Sequence, residues 1–85
     1  MAEIEVYTTK VCPYCVRAKA LLQRKGVAFQ EIDVSDDDAA REALVQKSDG
    51  RRTVPQIFID GSCVGGCDDL YRLEAEGRLD GLLKA

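Results

Sequence analysis

Eighty-five residues, 46% apolar and 32% charged, suit one small folded domain over residues 1–85 and exclude disordered, collagen-like and coiled-coil classes. Twelve Lys and Arg against fifteen Asp and Glu leave a formal charge of −3 with no basic run, which argues against a nucleic-acid partner. No apolar run is long enough to span a bilayer, and the start "MAEIEVYTT" lacks the basic and apolar stretches of a secretory signal, so a cytoplasmic protein with no membrane partner is expected.

Along the chain, "EIEVYT" alternates Ile4, Val6 and Thr8 with Glu3, Glu5 and Tyr7, the period of a strand with one apolar face. "CPYC" follows at 12–15, and Pro13 suits the first turn of a helix, where its missing N–H costs nothing. The run from Tyr14 to Lys25 stops at Gly26 and places Ala18, Leu21 and Leu22 on one side, with Arg17 and Arg24 on another. "VAFQEIDV" supplies a second strand, which makes a βαβ unit with parallel strands. Ser35 followed by Asp38 reads as a capping pair for a second helix over 36–47, closed by Gly50. "VPQIFIDGSCVGG" reads as a hairpin, Gln56 to Ile59 and Ser62 to Gly65 about an Asp60-Gly61 turn. "CDDLYRLEAEG" gives a further helix with acidic residues in its first turn, and "LDGLLK" a last amphipathic turn or two. The predicted fold is α/β: a four-stranded mixed sheet flanked by helices, with Cys-x-x-Cys after the first strand, the thioredoxin-like fold.

Four cysteines in a chain without a signal point to redox, metal-bound or simply buried thiols rather than structural disulfides. The absence of His removes His-containing zinc sites and Cys-His catalytic pairs. A thiol reacts as its thiolate, of which an ordinary cysteine offers only a few per cent at neutral pH. A helix N-terminus supplies the missing help at Cys12, because unpaired N–H groups and the helix dipole favour a negative sulfur. Lys10 and Arg17 are candidates for added positive field. Cys15, one turn on, is at disulfide distance and is expected to lie deeper than Cys12, where it can resolve a mixed disulfide. Cys12, Cys15, Cys63 and Cys67 also supply the four thiolates of a zinc module, although a strand-helix-strand insertion between the halves is unlike a compact zinc ribbon. Cys63 is otherwise a small residue on a strand.

The motifs "CPYC" at 12–15, "RAKALL" after it, "TVPQIFIDG" at 53–61 and "GGCDDLY" at 65–71 resemble, together and in order, those of the dithiol glutaredoxins, especially the small bacterial glutaredoxin 3 type. The resemblance covers nearly the whole chain. It implies a glutathione-dependent thiol-disulfide oxidoreductase with Cys12 and Cys15 as catalytic residues, glutathione as reductant and no metal. It also implies a cis bond before Pro55, which leaves the Val54 backbone to pair with an extended peptide-like ligand. Glutathione is then expected against Lys10, Tyr14, Thr53, Val54, Pro55, Gly66, Cys67 and Asp68. The helix start near Cys67 would meet the γ-glutamyl carboxylate, Asp68 or Asp69 the amine, and the Tyr14 ring would cover the ligand. The family's lysine three residues before the first cysteine is Thr9 here, so Lys10, Arg51 and Arg52 are the substitutes for the glycine carboxylate.

Partners implied are glutathionylated or disulfide-containing proteins, with ribonucleotide reductase a family substrate, and the default is a monomer. A rival within the resemblance is an iron-sulfur carrier using Cys12 and glutathione, but Pro13 is like the redox members, whereas cluster binders usually carry Gly or Ser there. Thioredoxin itself fits less well, since its motif has Gly-Pro between the cysteines and a Trp before them, and this chain has no Trp.

Overall fold

The computed structural model describes residues 3–10, 12–48, 50 and 54–83. Strand β1 (Ile4–Thr8) is followed by helix α1 (Pro13–Arg24), β2 (Gln30–Asp33), α2 (Asp38–Lys47), β3 (Gln56–Ile59), β4 (Ser62–Gly65), α3 (Cys67–Ala75) and α4 (Leu79–Leu83). The sheet order is β2-β1-β3-β4. β1 runs parallel to β2 and antiparallel to β3, and β3 and β4 are antiparallel.

The alternation in β1 works as the sequence implies. Ile4, Val6 and Thr8 are buried, with Ile4 and Val6 in a core shared with Ala18, Leu21 and Leu22 of α1 and Leu70 of α3. Leu79 and Leu83 of α4 close the same core. Each fully buried aliphatic side chain there contributes about 1.5–3 kcal/mol relative to exposure, so this face carries most of the hydrophobic stabilisation. On the other face Val34, Leu44 and Phe58 form a smaller cluster, with Tyr7 edge-on to Phe58 at 5.4 Å. β3, covered on both faces, is buried at all four residues, as expected of an interior strand.

Two boundaries differ from expectation. The second strand is confined to Gln30–Asp33 and is largely exposed, because it is an edge strand, and Val27 and Phe29 pack against the core from outside it. The second helix is capped by Asp37, whose carboxylate accepts the Ala40 N–H at 2.9 Å, and it begins at Asp38. Ser35 is taken out of the capping role by its neighbour: its hydroxyl and N–H both donate to Asp33 Oδ1, at 2.6 and 2.8 Å. The Asp60-Gly61 turn has positive φ at both residues, 52° and 84°, the conformation that a tight two-residue hairpin requires.

The parallel pair matters most for function. Both strands end on the same side of the molecule, and the loop after β1 delivers Cys12 there, at the start of α1.

Candidate functional site

Cys12 is the N-cap of α1, with extended backbone (φ −152°, ψ 98°). Its Sγ accepts the Cys15 N–H at 3.2 Å, the service that a Ser or Asp oxygen usually gives at a cap. Pro13 in the first turn leaves no N–H wasted. The Cys12 thiol also donates to the Val54 carbonyl at 3.6 Å. A negative sulfur here would keep the Cys15 N–H and give up only that contact with Val54.

Cys15 is different. It is only 2% exposed, and its thiol is pushed up from 9.0 to about 12, first by burial and then by its hydrogen bond with Cys12. At neutral pH it is a neutral thiol behind a half-buried Cys12.

A groove of about 340 Å³ opens beside Cys12, lined by Tyr14, Val54, Pro55, Gly66, Cys67, Asp68 and Asp69. Tyr14 is 54% exposed on its rim. The Val54-Pro55 bond is cis, and Pro55 is buried. Gly66 lets the two backbones approach closely, since a Cβ there would lie 3.2 Å from the Pro55 carbonyl oxygen, a tight contact. Gly66 is also the N-cap of α3, and its N–H donates to Asp69 Oδ2 at 3.0 Å. Cys67, the first residue of α3, is 4% exposed, and burial pushes its thiol up.

A larger hollow of about 420 Å³ lies between Glu3, Glu5, Phe29 and Gly61. It is lined by no cysteine, so its size does not make it the site.

The fold therefore brings Cys12, Cys15, Tyr14, Val54, Pro55, Gly66, Cys67 and Asp68 together. Lys10 is not among the groove residues: its ammonium pairs with Asp36 and its N–H donates to Ser35 Oγ at 2.7 Å. Thr53, Arg51 and Arg52 lie outside the described residues. Cys63 is exposed on β4 and donates toward Gln56 Oε1 at 3.7 Å. Among the described residues no group of three or more His, Cys, Asp or Glu is arranged to hold a metal ion, so the four thiols do not converge as a zinc module would need.

Sequence reasoning passed over Lys19, whose ammonium bonds Glu31 at 2.8 Å. Its signal was its spacing, four residues after Cys15 on the same helix.

The family model for Glutaredoxin matches residues 4–64. The chain is 60% identical to "Glutaredoxin 3" of Escherichia coli K12 over 84 residues, covering 99% of this chain and all of that one. The solution structure of glutaredoxin from Brucella melitensis is 56% identical with a TM-score of 0.88, over 99% of this chain and 90% of that one. The crystal structure of a buckwheat glutaredoxin-glutathione complex is 37% identical with a TM-score of 0.90, over 98% of this chain and 77% of that one.

Proposed function

Because the chain belongs to the glutaredoxin family and is a glutathione-dependent thiol-disulfide oxidoreductase, we propose that Cys12 is its nucleophile, Cys15 its resolving thiol, and the adjoining groove its glutathione site. The observation that carries this reading is the cap geometry: the more accessible sulfur of the pair receives a helix N–H and touches the carbonyl of Val54 in the groove wall. Glutathione is extended and peptide-like, which suits the Val54 backbone at one wall. Its γ-glutamyl carboxylate suits the N-terminus of α3, and its amine suits the exposed carboxylate of Asp68. Tyr14 at the rim covers the ligand. Lys10 reaches the glycine carboxylate only by leaving Asp36.

In the reaction, Cys12 thiolate attacks the glutathione sulfur of a protein-glutathione mixed disulfide. The protein thiol leaves and takes up a proton, and Cys12 then carries glutathione. A second glutathione regenerates the Cys12 thiolate and leaves as oxidised glutathione. A protein disulfide takes the two-thiol route: Cys12 forms a mixed disulfide with the protein, and Cys15 displaces the protein by closing the 12–15 bond. The substrates are accordingly glutathionylated and disulfide-bonded proteins, and the working unit is a monomer.

The test is turnover of a glutathionylated peptide with glutathione, glutathione reductase and NADPH. Cys12→Ser is expected to lose activity by at least a thousandfold, while Cys15→Ser retains the one-thiol reaction. Equal loss in both variants would sink the assignment of roles.

A further inference from the structure

In the two-thiol route Cys15 has to ionise as it attacks, although it is buried and its thiol is pushed up. Lys19 stands one turn further along α1, at the i+4 position that shares its side of the helix. The Lys19 side chain is 25% exposed, and its ammonium lies 2.8 Å from Glu31 Oε2 on β2. That oxygen also accepts the Thr8 hydroxyl at 3.0 Å, and Thr8 is only 1% exposed in β1. The backbone of Thr9, the next residue, favours ionisation of the Cys15 sulfur. Lys19 therefore does not wave in solvent. It is clamped by a carboxylate from the edge strand, which is itself pinned by a buried hydroxyl on the neighbouring strand. Glu31 is held below its ordinary range, first by Lys19, so the clamp keeps its charge throughout the neutral range.

We propose that Lys19, held by Glu31 and Thr8, is a positioning residue for the resolving step, its ammonium stabilising the Cys15 thiolate that attacks the Cys12 mixed disulfide. This rests on the two-thiol reading above. Cys15 loses its proton to solvent, its sulfur bonds to Cys12 Sγ, and the bond from Cys12 to the substrate sulfur breaks. The substrate leaves as a thiolate with the electron pair of that bond, and the two cysteines are the oxidised product. On its own helix, Cys12 opposes ionisation of Cys15 and Lys19 favours it. From the loop after β1 the Thr9 backbone favours it, while Lys10 is committed to Asp36. β2 acts through Glu31, which reaches Cys15 by way of Lys19. α3 contributes the buried Cys67, with Arg17 and Asp68 acting on that thiol.

A Lys-Glu pair between helix and edge strand also contributes to the fold as a partly exposed ion pair, so the test must separate the roles. In a Cys63→Ser background, which removes the exposed thiol, the disulfide of 5-thio-2-nitrobenzoate releases one coloured thiolate when Cys12 attacks. A second is released when Cys15 closes the bridge, and stopped flow resolves the two phases across pH. Lys19→Met is expected to slow the second phase about tenfold at a given pH, equivalent to moving its profile up by about one pH unit. The first phase should be unmoved, and Lys19→Arg should restore the second. An unmoved second phase in Lys19→Met, or a Lys19→Arg as slow as Lys19→Met, would overturn the proposal. A second release that persists in Cys15→Ser would instead overturn the two-thiol reading, and the proposal with it.

Discussion

Two helix N-termini meet at one groove, each with a cysteine, and they treat sulfur in opposite ways. At α1 the cysteine is the cap itself: Cys12 Sγ takes the Cys15 N–H, and the residue is only partly buried. At α3 the cap is Gly66, its N–H is taken by the Asp69 carboxylate, and Cys67 is turned into the core with its thiol pushed up by burial. Being near a helix dipole is thus not enough to make a thiol reactive. What matters is whether the sulfur occupies the capping position and stays within reach of solvent and ligand. In the proposed reading the first terminus presents the nucleophile, and the second, with its sulfur withdrawn, receives the ligand carboxylate.

The strongest way to break this comparison is to take the sulfur out of the α1 cap. Cys12→Ser keeps a capping oxygen, so the helix should persist by circular dichroism while peptide deglutathionylation falls by at least a thousandfold. The second terminus is challenged by filling it. Gly66→Val places side-chain carbon against the Pro55 oxygen, 3.2 Å from the Cβ position, and should raise the glutathione KM about tenfold while lowering stability by about 1–3 kcal/mol in urea unfolding. The buried thiol next to the cap gives a pH signature. Burial, and then the hydrogen bond with Cys12, push the Cys15 thiol from 9.0 up to about 12, so its neutral form is favoured by folding. That contribution is intact below pH 9 and is lost as pH rises from there toward 12. Thermal midpoints should therefore fall above pH 9, and less steeply in Cys15→Ala. The smallest effect is at Lys10, since its pair with Asp36 is exposed: Asp36→Asn should change the glutathione KM by no more than about threefold.

The hairpin was readable because Asp-Gly between two apolar runs has one good solution, a turn with positive φ at both residues. The strand-helix start of the site was equally readable, since Pro13 and the alternation before it fix where the chain changes period. The start of α2 was misread because three consecutive aspartates offer equivalent caps, and the choice of Asp37 depends on Asp33 having captured Ser35. The extent of β2 was misread because an edge strand has no buried face to impose alternation. Within the site, the Lys10-Asp36 pair joins residues 26 apart in sequence, and the Lys19-Glu31 pair joins α1 to β2. No local pattern announces either. The contrast between Cys12 and Cys67 was likewise invisible, since both follow a turn and open a helix, and only packing turns one of them inward.

The most direct test of the account is to trap the intermediate. The Cys15→Ser protein, which cannot close the 12–15 bond, is mixed with oxidised glutathione, quenched with acid and mapped by mass spectrometry. One glutathione on Cys12, with Cys67 unmodified, is the expected result. Glutathione on Cys67 with Cys12 still free would contradict it.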